Sequence, residues 1–271
     1  MAMQVTRRSA LGIAATGAML LGFAGAASAD DVWSDLRRDV FDNREVVEDG
    51  LVELDAPYRA EDAAVVPVTM RLPAAAGEVK TLTLIVDKNP APVVATFHLG
   101  EAAGKGDRML STRVRIDMYS NVRAIAETAD GKLHMATKFV KASGGCSAAA
   151  SKDADEALAS LGKMQIRTFD AADAKDRTPP TREAQVMIRH PNFTGMQMDQ
   201  VSRQYTPMRI VSEMDVKRDG ERVFKMEGGI SISENPNFRF TFVPGKENVI
   251  DVTAKDTEGK VFTATSAGKG A

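Results

Sequence analysis

The sequence is poor in cysteine, tryptophan and histidine. Among 271 residues there are one Cys, one Trp and three His. A single cysteine excludes an internal disulfide, and so few Cys and His provide none of the common metal-ligand spacings. The sequence also has no large excess of charge of one sign, because the formal net charge is only −2. The chain therefore lacks the basic excess of nucleic-acid-binding domains, and we expect no nucleic-acid partner.

The first 29 residues have the features of an export signal. Arg7 and Arg8 precede a short apolar stretch, and Ala27-Ser28-Ala29 provides a small-residue cleavage site. Thr6-Arg7-Arg8-Ser9-Ala10-Leu11 favours the twin-arginine route over the general route. A membrane anchor is the alternative, although the apolar run is short for a span. We therefore predict a periplasmic protein that has no membrane segment after residues 1–29 are removed.

The apolar residues of the next part change from helical spacing to alternation. Val32, Trp33, Leu36 and Val40 predict a short amphipathic helix in which Trp33 packs in the core. From about residue 50 the period is two, which is typical of half-buried strands with one face in water. The alternating segments include Val66–Leu72, 82–86 and 110–118, the last with Arg113 and Arg115 on the polar side, and Asp130-Gly131 predicts a hairpin. Short strands at this density indicate an antiparallel β-sandwich.

A second strand-rich region begins near Lys163. Asp219-Gly220 and Glu258-Gly259 each lie between alternating segments and predict two further hairpins. We therefore predict a mainly β protein with two immunoglobulin-like antiparallel sandwich domains, at 30–141 and 163–271. We expect the domains to pack through apolar strand faces that remain after each core is filled.

The predicted linker, residues 142–162, contains the only cysteine, in KASGGCSAAASK (141–152). Gly144 and Gly145 permit unusual backbone angles, and the small neighbours of Cys146 predict an exposed thiol on a mobile segment. The thiolate would be the nucleophile, modestly favoured by Lys141 and Lys152. No histidine lies near Cys146 in sequence, so the activated dyad of a cysteine enzyme is not indicated.

Both regions resemble the sulfur-oxidation carrier family, in the order SoxY then SoxZ. The SoxY-like segments are DAPYRAEDAAVVPV (55–68), IVDKNPAPVVATFHLG (85–100), STRVRIDMYSNVRAIAE (111–127) and ADGKLHMATKFVKASGGC (129–146). The SoxZ-like segments are MIRHPNFTGM (187–196), GGISISENPNFRFTF (228–242) and DTEGKVFTATS (256–266). Fusion of the two into one chain is similar to the SoxYZ-like carriers associated with quinoprotein dehydrogenases.

This resemblance implies a carrier and not an enzyme. It implies that Cys146 is the covalent attachment site, that Gly144 and Gly145 form its flexible arm, and that no cofactor is bound apart from a sulfur adduct on Cys146. The implied cargo comes from thiosulfate, and the implied partners are periplasmic sulfur-oxidation enzymes, c-type cytochromes and a quinoprotein dehydrogenase system. A disulfide dimer through Cys146 stays open.

In one respect the chain departs from the SoxY pattern. The SoxY arm ends the chain, whereas here Ser147 follows Cys146, the second glycine pair is missing and the chain continues into the next domain. The resemblance therefore implies an arm that is tethered at both ends, and a partner cleft must admit two passes of chain.

Two alternatives to the carrier remain at this point. His190 lies close in sequence to Met196 and Met198, and imidazole with thioethers suits Cu(I), so a periplasmic copper-binding or chaperone protein is one alternative. A non-catalytic adaptor of the quinoprotein dehydrogenase is the other, and it predicts that Cys146 is replaceable.

Overall fold

A computed structural model of the protein describes residues 29–149, 158–169, 181–199 and 202–266. The predicted export signal lies outside the described residues except for Ala29, and so do residues 150–157 of the predicted linker. Among the described residues, no helical segment has the length and apolar character that a membrane crossing requires.

The predicted amphipathic helix is present as α1, Ala29–Phe41. Trp33 packs in the protein, with its ring centroid 6.4 Å from that of Phe41 and the Arg123 guanidinium 4.3 Å above it. The apolar face of the helix covers one small cluster, which comprises Phe41, Ile85, Ile125, Leu133 and Met135 with Trp33, Leu36, Val46 and Val93. The predicted core role of Trp33 is therefore confirmed.

In the described ranges, fifteen strands follow the helix. They are β1 Val46–Val47, β2 Glu53–Asp55, β3 Val66–Leu72, β4 Val79–Val86, β5 Val93–Leu99, β6 Arg108–Val114, β7 Ser120–Thr128, β8 Leu133–Val140, β9 Met164–Phe169, β10 Arg182–Ile188, β11 Val211–Arg218, β12 Glu221–Gly228, β13 Asn237–Phe242, β14 Ile250–Asp256 and β15 Val261–Thr265. The fold class is as predicted, mainly β with two sheets and one short N-terminal helix.

The three predicted hairpins are present. They join β7 to β8, β11 to β12 and β14 to β15. Gly131, Gly220 and Gly259 have φ of 84°, 84° and 81°, in the left-handed region where glycine carries no Cβ penalty. These short dipeptides therefore carried enough local information to place the turns.

The two halves join edge to edge, which corrects the prediction that leftover apolar faces dock. The nine-stranded sheet has the order β1-β8-β7-β4-β5-β12-β11-β14-β15, and the six-stranded sheet has the order β2-β3-β6-β13-β10-β9. Antiparallel pairing of β5 with β12 and of β6 with β13 crosses between the halves in both sheets. Unsatisfied edge strands of each half thus pair with one another, which protects edges that would otherwise be exposed.

One apolar core fills the space between the two sheets and spans both halves. Phe97 on β5 lies 5.7 Å from Phe224 on β12 and 6.0 Å from Phe238 on β13, measured between ring centroids. Phe224 also lies 5.2 Å from Phe240. These edge-to-face aromatic contacts place large buried aromatic side chains at the seam between the halves.

Strand β6 ends earlier than the alternation predicts. Its last residue is Val114, and the chain then leaves the sheet, so Arg115 does not lie on a water-facing strand surface. Arg115 is instead only 1% exposed and is the largest fully buried side chain among the described residues.

Candidate functional site

The segment that follows β8 is held against the protein by backbone hydrogen bonds. The Gly144 N–H donates to the Asp117 carbonyl at 2.8 Å, and the Gly145 N–H donates to the Ile116 carbonyl at 3.0 Å. Gly144 turns the chain with φ of 78°. We call residues 144–148 the cysteine segment, and its glycines therefore have defined conformations.

Only glycine fits at position 145, because the backbone there lies very close to other backbone segments. A Cβ at this position would lie 2.1 Å from the Ala63 carbonyl oxygen and 2.7 Å from the Ile116 oxygen. No side chain fits such distances, because real Cβ atoms do not come within 3.0 Å of other heavy atoms. The glycine pair thus has two separate roles, a positive φ at Gly144 and close packing at Gly145.

Cys146 is fully buried, with 0% exposure. Its N–H donates to Asp117 Oδ1 at 3.3 Å, and its carbonyl accepts a hydrogen bond of 2.7 Å from Thr194 Oγ1. Gln197 Nε2 donates to the Ala148 carbonyl at 3.1 Å. The predicted exposure of the thiol is therefore wrong, because residues distant in sequence cover it.

The loop that provides Thr194 and Gln197 is itself held by a buried polar network. The Thr194 N–H donates to Gln197 Oε1 at 3.0 Å. Asn192, with φ of 44°, donates its N–H to His190 Nδ1 at 3.0 Å, and its Oδ1 accepts from the Val211 N–H at 3.1 Å. The segment MIRHPNFTGM therefore builds a platform on which the cysteine segment rests.

The electrostatic environment favours the neutral thiol. Burial, and next the negative charge of Asp117, raise the pKa of Cys146 from 9.0 to about 11, and the positive charge of Arg115 opposes the increase. The Lys141 ammonium lies 4.7 Å above the Tyr58 ring, and Lys152 lies outside the described residues. Among the described residues, the cation that favours the thiolate is thus Arg115, and Lys141 is not among the causes of the pKa shift.

The Arg115 guanidinium contacts the cysteine segment directly. Its Nη1 donates at 3.0 Å to the Gly145 carbonyl, which belongs to the peptide bond that joins Gly145 to Cys146. Its Nε and Nη2 are buried and have no hydrogen-bond partner among the described residues. Burial lowers the pKa of Arg115, and the charges of Glu234, Cys146 and Asp62 act against that decrease.

Comparison with known proteins identifies both halves. The family described as sulfur oxidation protein SoxY matches residues 37–146, and the family described as sulphur oxidation protein SoxZ matches residues 169–267. The chain is a fused SoxY–SoxZ protein of the sulfur-oxidation carrier family. The SoxY match ends at Cys146 itself.

Solved structures give weaker similarities. The sulfur carrier protein SoxY from Chlorobium limicola f thiosulfatophilum is 24% identical, with a TM-score of 0.35, over 42% of this chain and 94% of that chain. A beta-glycosidase from Bacteroides vulgatus is 6% identical, with a TM-score of 0.24, over 79% of this chain and 24% of that chain. A search of curated protein sequences finds no match.

The residues of the copper alternative differ in their burial. His190, in the SoxZ half, is buried; its Nδ1 accepts a hydrogen bond, and its Nε2 lies 3.7 Å from Asp256 Oδ2. Met196 is half-buried and Met198 is exposed. Within the described ranges, no three His, Cys, Asp or Glu side chains gather where they could hold a metal ion. No observation therefore favours copper binding.

Sequence reasoning identified Cys146, Gly144 and Gly145 but missed the residues that enclose them. Arg115 and Asp117 follow β6 in the SoxY half, whereas Thr194 and Gln197 belong to the SoxZ half. The quoted motifs contain Arg115, Asp117 and Thr194. Only long-range folding brings them to Cys146, so no local spacing signals their role.

Proposed function

We propose that this protein carries sulfur intermediates covalently on Cys146 and presents them in turn to enzymes of sulfur-compound oxidation, with thiosulfate as the source. The observation that carries the proposal is that the one cysteine of the chain is the last residue matched by the SoxY family. Gly144 and Gly145 are the proposed arm.

Loading of a thiol with 0% exposure requires the cysteine segment to leave its seat. We define the seat as the groups that contact this segment, namely Arg115, Ile116, Asp117, Thr194 and Gln197. The seated thiol is inaccessible and, with a pKa of about 11, is mostly protonated at neutral pH. The thiolate is the reactive form, so we propose a seated, protected state and a released, reactive state.

The energetics make such release accessible. Six hydrogen bonds join the cysteine segment to the other described residues, each contributing about 1 kcal/mol net. Release returns about 1–2 kcal/mol of backbone conformational entropy per residue. Because these terms are of similar size and opposite sign, partner binding can shift the balance.

We further propose a periplasmic location, on the basis of the predicted signal at residues 1–29. The proposed partners are periplasmic sulfur-oxidation enzymes, c-type cytochromes and a quinoprotein dehydrogenase system. The proposed carrier performs no catalysis and needs no cofactor apart from the sulfur adduct. A disulfide between two copies through Cys146 would require the same release of the segment.

The intact mass of the protein from its own cells tests the carrier function. The protein is purified from cells that are oxidising thiosulfate, with and without reductant, beside the Cys146→Ser variant. We expect heterogeneous sulfur-containing adducts that disappear on reduction and are missing from the variant. A single unmodified mass from actively oxidising cells would contradict the proposal.

A further inference from the structure

The buried cation beside Cys146 has more hydrogen-bonding capacity than the protein uses. Arg115 is 1% exposed, and within the described part of the chain Nη1 has one acceptor while Nε and Nη2 have none. A buried donor without an acceptor costs about 1–3 kcal/mol, and more when the group is charged. Such a group next to the proposed functional cysteine calls for a physical explanation, and an acceptor that arrives with a ligand is one.

The missing acceptor is not supplied by the surrounding carboxylates. Asp62 and Glu234 attract the guanidinium electrostatically, yet neither accepts from Nε or Nη2. Asp117 uses Oδ1 for the Cys146 N–H. Among the described residues, no carboxylate oxygen lies within 4.0 Å of an Arg115 nitrogen, so Arg115 forms no ion pair there.

The free thiol does not supply an anion either. At neutral pH the buried Cys146 side chain is protonated, so it provides no negative charge for the guanidinium. A sulfur cargo that ends in a sulfonate changes this, because it puts a permanent negative charge and three acceptor oxygens on the cysteine side chain. Arginine is the side chain best suited to bind such oxyanions, through two parallel N–H donors.

We propose that Arg115 is the receptor for the anionic end of the cargo, and that Nε and Nη2 bind the terminal sulfonate of a Cys146 thiosulfonate. This inference rests on the proposed carrier function and specifies the class of cargo that the seat accepts. The loaded segment then has an additional charge-assisted contact that the unloaded segment lacks. The seat retains anionic cargo in preference to the free thiol.

Tetrathionate provides a probe that needs no partner enzyme. The Cys146 thiolate, having lost its proton to buffer, attacks one inner sulfur of tetrathionate. The bond between the two inner sulfurs breaks, its electron pair leaves with thiosulfate, and Cys146 retains an –S–SO3⁻ group through a new S–S bond. Complete loading is verified by intact mass, with Cys146→Ser as the unreactive control.

Thermal unfolding of loaded and free protein measures the contact. We expect loading to raise the Tm of the wild type by about 3 °C or more. In Arg115→Met the increase disappears, and in Arg115→Lys part of it remains because the charge is kept. Arg113→Gln is the matched control, since Arg113 lies two residues earlier and is exposed, and it should keep the full increase.

Reductive release of the cargo gives a second measurement. We expect Arg115→Met to lose the thiosulfonate to reductant about tenfold faster than wild type or Arg113→Gln, which is the effect of weakening the seated state by a factor of ten. Equal increases in Tm and equal release rates in wild type and Arg115→Met would overturn the inference. A loaded wild type that melts below the free protein would also overturn it.

A neutral cargo keeps the test decisive if no Arg115 variant folds. Methyl methanethiosulfonate converts Cys146 to a methyl disulfide and releases methanesulfinate, which adds an uncharged group. We expect this adduct not to raise the Tm, whereas the thiosulfonate does; equal shifts would overturn the inference. A failure of the carrier function is distinguishable from a failure of this inference. In that case the protein from its own cells has an unmodified mass, while loading with the thiosulfonate in vitro still raises the Tm.

Discussion

At the residue scale, the chemistry of Cys146 is determined by what surrounds it. The thiol is buried beside Asp117, and both effects disfavour the thiolate, while Arg115 favours it. A thiol in this state resists stray oxidants and alkylating agents, because the thiolate is the reactive form. The seat therefore protects the site that the proposed function must expose.

The pH dependence of alkylation follows from the raised pKa of Cys146. We expect the reaction of the native protein with iodoacetamide to rise through pH 9–11. At pH 8 it should be about 100-fold slower than the reaction of the unfolded chain, since a pKa of about 11 in place of 9.0 reduces the thiolate fraction by that factor. A midpoint near pH 9, the ordinary pKa of the thiol, would show that the thiol is not seated. The measurement is intact mass against time at each pH.

The same shift has a defined effect on stability. A thiol whose pKa is higher in the folded state stabilises the fold below the unfolded value near 9, and this contribution decreases as pH rises from 9 to about 11. We expect the stability difference between wild type and Cys146→Ser, measured by urea unfolding, to change across that window and to be constant from pH 6 to 8.

At the element scale, the cysteine segment is a short loop that is shaped by its glycines. Gly145 lies where two carbonyl groups leave no space, whereas Gly144 needs only a positive φ. The early end of β6 at Val114 matters equally, because it turns Arg115, Ile116 and Asp117 out of the sheet and toward the segment.

Substitution of Gly145 separates seating from folding. In Gly145→Ala the added methyl group would meet the Ala63 carbonyl at 2.1 Å, so we expect the segment to leave its seat. Alkylation of Cys146 at pH 8 should rise about tenfold or more, and stability should decrease by about 2 kcal/mol through the lost hydrogen bonds. Rates are measured by intact mass and stability by urea unfolding.

Gly144→Asn is the matched control. A side chain at Gly144 meets no atom within 4 Å, and asparagine tolerates the left-handed conformation better than most residues. We expect an alkylation rate close to that of wild type. An equal increase in both variants would show that any substitution in the glycine pair releases the segment.

At the scale of the whole molecule, the two family halves form one continuous β structure. Both sheets cross the seam through strand pairs β5–β12 and β6–β13, and Phe97 contacts rings from the SoxZ half. Because the seat of Cys146 takes Asp117 from one half and Thr194 from the other, any separation of the halves would dismantle it.

Cooperative unfolding is the consequence that can be measured. We expect a single calorimetric transition for the protein, and Phe97→Ala should lower its stability by about 3–5 kcal/mol by leaving a cavity at the seam. Val261→Ala, at a residue that is 56% exposed, should change stability by less than about 0.5 kcal/mol. Two separate transitions, of which Phe97→Ala moves only one, would contradict a shared core.

The sequence by itself determined the strand-rich architecture, the hairpins, the position of the cysteine and the family. These depend on neighbours: alternation defines a strand with two faces, Asp-Gly pairs define a turn, and family motifs are contiguous segments. The alternation failed where it was extended past Val114, because a local pattern does not show where a strand leaves its sheet.

Only the tertiary structure decided how the halves join and what encloses Cys146. Edge pairing depends on which strands lack partners after each half has folded, and burial depends on residues far apart along the chain. Cys146 and Thr194 are 48 positions apart, and Arg115 and Gly145 are 30 positions apart. Small residues around a cysteine predict an exposed thiol only when no other part of the protein covers them. Here the SoxZ half contributes to the cover, through Thr194 and Gln197.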